Sequence, residues 1–121
     1  VIVTSTGVND VTAGLSAKRW IKQKQQLIER LTEKFQPQQI LLTSVPPMHL
    51  FPALPQPLRW YLGQHAQQLN HALAQLTAEQ PHCQQVTLNF PMQPDYMAQD
   101  GFHPAAAAYT IWANTLVDCL R

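Results

Sequence analysis

The chain has 121 residues, of which 45% are hydrophobic and 12% charged, and its formal net charge is +1. This length fits one small domain with a core of its own. The near-neutral charge and the lack of a basic cluster argue against nucleic acid or an acidic membrane surface as a partner. The longest apolar stretches are far shorter than the roughly 20 residues of a membrane span, so we expect no such span.

The start of the sequence is unusual for a natural domain. It opens with "VIVTSTGVND", which has no initiator methionine and no signal-peptide layout, and it begins inside an apolar β-type run. We therefore expect residues 1–121 to be a fragment of a longer chain. The sequence shows no targeting signal, so the compartment is not determined, and the cytoplasm is favoured.

Three apolar runs predict three strands, at residues 1–5, 39–45 and 85–90. The apolar residues are continuous rather than alternating, which is typical of strands covered on both faces in a parallel sheet. Pro46 and Pro47 end the second run.

Helical patterns follow each of the three strands. Ser16 is the predicted N-cap of a helix that reaches about Phe35. A second helix runs from Leu58 and ends before Pro81, and a third begins at Pro104, a residue favoured at the first helical position. The residues expected to face the core are Trp20, Ile21, Leu27, Ile28, Leu31 and Phe35, then Leu58, Leu62, Ala66, Leu69, Leu73 and Leu76, and finally Ile111, Trp112, Leu116 and Leu120.

The resulting β-α-β-α-β-α order predicts right-handed crossovers and a three-layer α/β/α sandwich with a parallel sheet. Ligands of such sheets bind outside the carboxyl ends of the strands. The loops at those ends are "TGVNDVT", "PPMHLFPALPQPLR" and "PMQPDYMAQDGFHP".

Two polar motifs in these loops are candidates for catalysis. In "DGFHP", Asp100 and His103 are separated so that one turn can bring carboxylate and imidazole together, as an acid and a base require. In "GVND", the turn made possible by Gly7 presents the amide of Asn9 to a developing oxyanion. Each motif taken alone is also compatible with an ordinary turn or helix cap.

The motifs "GVND" and "DGFHP" occur in this order along the chain, and each follows a predicted strand. Together they resemble two conserved blocks of the SGNH hydrolases, the GDSL-type esterases and lipases. The resemblance implies a flavodoxin-like fold with sheet order 2-1-3-4-5, of which this chain would hold the last three strands. It also implies that Asn9 is an oxyanion donor, Asp100 the orienting acid and His103 the base. The family's nucleophile is a serine in a Gly-Asp-Ser block after the first strand, and this sequence has no such block.

The implied activity is hydrolysis of carboxylic esters or thioesters of small acyl groups through an acyl-enzyme, without a cofactor or metal. Ser5, Ser16 and Ser44 are poor substitutes for the nucleophile, so we expect these 121 residues alone to be inactive. An exposed edge of the first strand would pair with the missing N-terminal segment or with a second copy. The competing hypothesis is a non-catalytic flavodoxin-like binding module.

Residues of the middle loop are candidates for substrate binding. Leu50 and Phe51 would form an apolar wall for an acyl chain, and His49 would line the cleft beside them.

Several other residue types carry no functional pattern. The sequence predicts surface or loop positions for His65, His71 and His82. It predicts reduced thiols at Cys83 and Cys119. It places Trp20, Trp60 and Trp112 in core or helix-packing positions.

Overall fold

Three parallel strands form the centre of the fold and pair in the order β1-β2-β3. The computed structural model of the protein describes residues 1–87, 89 and 93–120. The strands are β1 (Ile2–Ser5), β2 (Ile40–Thr43) and β3 (Cys83–Val86), and the helices are α1 (Val8–Thr12), α2 (Ala17–Phe35), α3 (Leu58–Ala78) and α4 (Ala106–Cys119). Short 3₁₀ turns lie at Met48–Leu50 and Pro94–Tyr96. The predicted parallel α/β architecture is confirmed.

The strands are in a register that brings their carboxyl ends level with one another. Ser5 is paired with Thr43, and Thr43 with Val86. The third strand begins two residues earlier than predicted, because the buried thiol of Cys83 behaves as a small apolar residue. Leu88 and Phe90, the last apolar residues of the predicted strand, lie outside the described residues.

Helices α2 and α3 supply most of the core. Ser16 caps α2 as predicted, since its Oγ accepts a hydrogen bond from the backbone N–H of Arg19 at 3.3 Å. Both helices connect consecutive strands, so right-handed crossovers place them on one face of the sheet, where they contact each other. The α3 side chains that are buried include five of the six predicted, namely Leu62, Ala66, Leu69, Leu73 and Leu76.

Two ends of these helical patterns are less buried than predicted. Leu58 and Phe35 are 46% and 59% exposed, because each stands at a helix terminus beyond the edge of the small sheet. Trp60, predicted to be a packing residue, is 60% exposed on the first turn of α3.

The last helix corrects two predictions. α4 begins at Ala106, after an extended N-cap residue at Ala105, so Pro104 is not its first residue. Among the described residues of α4 only Ala108 is buried, whereas Leu120 is 49% exposed. α4 packs mainly on β3 and the 94–96 turn, which leaves its predicted apolar face, Ile111, Trp112 and Leu116, only half-buried.

Strand β1 is an edge of the sheet over the described residues. It pairs with β2 alone, and Val3 in its middle is 45% exposed. An apolar strand edge of this kind offers unpaired backbone groups to another chain segment. In the part of the chain that the structure describes, no helix is long and apolar enough to cross a membrane.

Candidate active site

A cleft of about 390 Å³ opens at the edge of the sheet where the carboxyl ends of the strands lie side by side. Asn9 and His103 both line this cleft, so the structure brings together two of the three residues predicted to be catalytic. The third, Asp100, is hydrogen-bonded to His103. The cleft's other lining residues come from β1, α1, the end of β2 and the loop after it, the loop before α4, and α4 itself: Ser5, Val8, Thr43, Ser44, Pro46, Phe51, Met97, Phe102, Pro104, Tyr109 and Trp112.

Asp100 and His103 form a hydrogen-bonded pair on the rim of this cleft. The Nδ1 atom of His103 lies 2.5 Å from Oδ2 of Asp100. The other carboxylate oxygen, Oδ1, accepts the backbone N–H groups of Phe102 and His103, each at 2.9 Å. The side chains of His103 and Asp100 are 71% and 49% exposed, so the pair is open to solvent on its outer side.

These hydrogen bonds determine which form of the carboxyl group is present. The bond from the His103 ring, followed by the two backbone N–H groups, lowers the pKa of Asp100 to about 2. The carboxylate is therefore ionised near neutral pH and can only accept a hydrogen bond. His103 Nδ1 must then be the donor, which leaves Nε2, on the other side of the ring, as the atom that can exchange a proton with a ligand.

The turn that holds this pair is fixed to its neighbours by backbone contacts. Gly101 has φ +66°, a left-handed conformation that other residues rarely adopt, and its carbonyl accepts the N–H of Ala53 at 3.2 Å. Met97 and Pro104 form an antiparallel bridge, and the N–H of Ala98 donates to the carbonyl of His103 at 2.8 Å. These backbone contacts therefore fix the loop that orients His103.

The observed start of α4 also affects the electrostatic environment of His103. A helix starting at Pro104 would place His103 at the positive end of the helix dipole. Because α4 begins at Ala106, the ring precedes the first helical turn, outside the range where the dipole acts most strongly. Asp100 is thus the main electrostatic partner of His103.

Asn9 lies in the short helix α1, which the sequence did not predict. Gly7 is the N-cap of this helix with φ +140°, and its carbonyl accepts the N–H of Val11 at 2.9 Å. A Cβ atom on Gly7 would approach Cγ2 of Val45 to 2.5 Å, so only glycine fits here. Within residues 1–87, 89 and 93–120 the Asn9 carboxamide has no hydrogen-bond partner, so it is free to donate to a ligand.

Replacing Gly7 by alanine is expected to destabilise the fold more than the same change at Gly14. Both glycines have positive φ, which costs about 1 kcal/mol of unfolding free energy when alanine is introduced. Only Gly7→Ala adds the overlap with Val45, worth about 1–3 kcal/mol more, since nothing lies within 4 Å of a Cβ on Gly14. Urea unfolding of both variants measures the difference, and equal losses would contradict the close approach.

One wall of the cleft is aromatic and reaches the histidine. Phe51, which is 3% exposed, packs edge-on against Phe102, with ring centroids 5.2 Å apart. Phe102 in turn lies edge-on to His103 at 5.4 Å. Of the three residues predicted for substrate binding, Phe51 therefore lines this cleft, whereas Leu50 and His49 are exposed and do not. His49 lines a separate cavity of about 160 Å³ near Asn70.

The opposite wall was not predicted from the sequence. Tyr109 and Trp112 stack with ring centroids 6.0 Å apart, and both line the cleft together with Met97. The spacing of three residues on α4 is the signal that could have found this pair, because such residues share one helix face. The sequence had assigned Trp112 to the core instead.

Two of the remaining histidines, His65 and His82, are hydrogen-bonded to other segments of the chain. His65 Nε2 lies 2.6 Å from the carbonyl oxygen of Leu15, and His82 Nε2 lies 2.9 Å from Oγ1 of Thr32. His71 is exposed, and its Nε2 lies 3.3 Å from Nε2 of Gln75 on the same helix. Among the described residues no three His, Cys, Asp or Glu side chains lie close enough to hold a metal ion.

Both cysteines, Cys83 and Cys119, are free thiols, as predicted. Cys83 lies at the start of β3 and is buried in the core. Burial raises the pKa of its thiol, which favours the protonated form.

Comparisons with known proteins identify the family of the chain and its fold. The fold is that of an α/β protein with a parallel sheet, and the sequence model of the GDSL-like lipase/acylhydrolase family matches residues 1–111. The chain belongs to this family of hydrolases.

A solved structure described as "a putative platelet activating factor from Streptococcus pneumonia" has the same fold, with a TM-score of 0.80 and 19% sequence identity. The match covers 97% of this chain and 57% of that one, so this chain spans little more than half the length of that protein. A search of curated proteins finds no match to the sequence.

Proposed function

We propose that this chain supplies the base, its orienting acid and one oxyanion donor of a serine hydrolase that cleaves carboxylic esters or thioesters of small acyl groups. The observation that carries the proposal is the 2.5 Å contact between His103 Nδ1 and Asp100 Oδ2, on a cleft that Asn9 also lines. The membership in a family of lipases and acylhydrolases supports the same class of reaction.

In the proposed reaction, His103 Nε2 takes the proton of the serine hydroxyl as the serine oxygen attacks the acyl carbon. The negative charge of Asp100 stabilises the imidazolium that forms, and the Asn9 amide N–H donates to the oxyanion. His103 then gives the proton to the leaving alcohol or thiol, which leaves an acyl-enzyme. Water attacks this ester by the same steps in reverse order and releases the acid.

The nucleophile is proposed to lie outside residues 1–121. Ser16 is engaged in capping α2, and Ser44 is 8% exposed. Ser5 is exposed and lines the cleft, but within the described residues it has no hydrogen bond to His103. Serine catalysis depends on a hydroxyl that lies within hydrogen-bond reach of its base.

The free edge of β1 supports the same proposal about domain organisation. In the proposed whole domain, residues 1–121 form the C-terminal part, and a preceding strand pairs with β1 over the exposed side of Val3. Pairing of β1 with a second copy of this chain is the alternative. Measurement of the molecular mass in solution distinguishes these two arrangements. Only pairing of β1 with a second copy gives a dimer, and that dimer dissociates when a preceding segment is present.

An ester assay tests the proposed function. The full-length protein containing this chain is expected to hydrolyse p-nitrophenyl acetate, whereas residues 1–121 alone are expected to show no serine-dependent hydrolysis. Circular dichroism of the 121-residue chain verifies that it is folded when assayed. Ser5→Ala in the full-length protein is the matched control and should retain activity.

Two outcomes would contradict the proposal in different ways. Robust activity of residues 1–121 that Ser5→Ala abolishes would place the nucleophile within this chain. No hydrolysis and no labelling by a fluorophosphonate probe in the full-length protein would instead favour the non-catalytic binding module.

A further inference from the structure

Two polar side chains of α2 are buried beneath the turn that carries Asn9. Trp20 is 1% exposed and Lys24 is 6% exposed, and their spacing of four residues puts them on one face of the helix. Buried indole N–H and ammonium groups need hydrogen-bond partners. Trp20 finds its partner in α1, and Lys24 finds its partner in the segment between β1 and α1.

Trp20 is bonded to the residue that follows Asn9. Its Nε1–H donates to Oδ2 of Asp10 at 3.0 Å, across ten residues of sequence. The Trp20 ring also lies against the turn itself, because a Cβ atom on Gly7 would be 3.6 Å from it. The indole thus contacts the turn on one side of Asn9 and is hydrogen-bonded on the other.

Lys24 holds the preceding part of the same segment. Its Nζ donates to Oγ1 of Thr6, and the ammonium lies 5.1 Å from the centre of the Trp20 ring. Burial lowers the pKa of Lys24, and the carboxylate of Asp10 opposes that change. The four residues Thr6, Asp10, Trp20 and Lys24 form one connected group, which we call the anchor group.

The backbone of Asn9 is fixed as well, while its side chain is left free. The carbonyl of Asn9 accepts the N–H of Ala13 at 2.9 Å and the hydroxyl of Thr12 at 3.0 Å. Bonds on both sides of Asn9 and on its own carbonyl leave the turn little freedom to move. An oxyanion donor is effective when it is held in place before the reaction, so that no reorganisation is needed when charge develops.

We infer that Trp20, through its hydrogen bond to Asp10, is a positioning residue for Asn9, with Lys24 and Thr6 as the second attachment of the same turn. This inference rests on the proposed function. An apolar residue at position 20 could fill the core equally well, and the hydrogen bond is what it would lack. The effect of Trp20 on the reaction should therefore pass through Asn9.

A double-mutant cycle in the full-length protein tests this inference with p-nitrophenyl acetate. Asn9→Ala is expected to lower kcat on the order of 10²–10³-fold. Trp20→Phe is expected to lower kcat about tenfold with little change in KM, because it misplaces a donor used in the transition state. In the Asn9→Ala background, Trp20→Phe should change kcat less than about twofold, since the positioned group is already gone.

Two further variants separate positioning from general loss of stability. Ile28→Val weakens the buried face of α2 without touching the anchor group and should leave kcat unchanged. Trp60→Phe makes the same chemical change at an exposed tryptophan and should also have no effect. If Trp20→Phe does not fold, Asp10→Ala removes the same hydrogen bond from the partly exposed side and is expected to give the same loss of kcat.

The possible outcomes distinguish the inference from the function on which it rests. A similar loss from Trp20→Phe with and without Asn9, or no loss at all, would overturn the positioning role and leave the proposed function intact. An unchanged kcat in Asn9→Ala would overturn the proposed oxyanion donor itself, and the inference with it.

Discussion

Replacing His103 by alanine in the full-length protein is expected to lower kcat for p-nitrophenyl acetate by about 10⁴-fold or more. The reason is that the proposed serine loses the group that accepts its proton, and the leaving group loses its acid. The His103 ring is 71% exposed, so its removal leaves the core intact and the variant should fold. Steady-state kinetics together with a thermal unfolding curve measure both effects.

His71→Ala is the matched control for this prediction. His71 is also exposed, and its ring is hydrogen-bonded to Gln75 on the same helix. It should retain activity. Equal activity of the two variants would show that His103 is not the base.

Replacing Asp100 by asparagine is expected to lower kcat by about 10⁴-fold, as the equivalent change does in a serine protease triad. An asparagine oxygen can still accept the N–H groups of Phe102 and His103, so the turn should persist. Its amide group, however, can donate to Nδ1 of His103 and fix the tautomer with the proton on Nε2. It also carries no negative charge to stabilise the imidazolium.

The pKa of Asp100, about 2, gives this prediction a control based on pH. Because the carboxylate is already ionised at every pH used for an ester assay, Asp100→Asn should be slower throughout the neutral range. Asp118→Asn, a change at an exposed carboxylate of α4, should have no effect. Recovery of full activity by Asp100→Asn at any neutral pH would contradict the orienting role.

The long amphipathic helices and the order of the elements could be predicted from sequence. α2 and α3 have apolar residues at helical spacing, and Ser16 is a strong capping residue, so local physics determines both elements. α1 could not be predicted in this way. It has five residues, and Asn9 and Asp10 following Gly7 are typical of a turn.

The candidate site also has contacts that could be predicted from the sequence and contacts that could not. Asp100 and His103 are three residues apart, and one turn joins them, so a local motif is sufficient to predict their contact. The bond between Trp20 and Asp10 and that between Lys24 and Thr6 join separate elements. The aromatic pair of α4 faces the cleft only because that helix packs on β3. Tertiary packing decides which residues these side chains meet and whether they face the cleft.

Identification of the serine that reacts with a fluorophosphonate probe is the most direct test of the central claim. The full-length protein would be labelled, digested and analysed by mass spectrometry, beside its His103→Ala variant. We expect the label on one serine outside residues 1–121, with labelling lost in the variant. A label on Ser5, Ser16 or Ser44, or equal labelling of both proteins, would contradict the claim that this chain provides the base for a serine it does not contain.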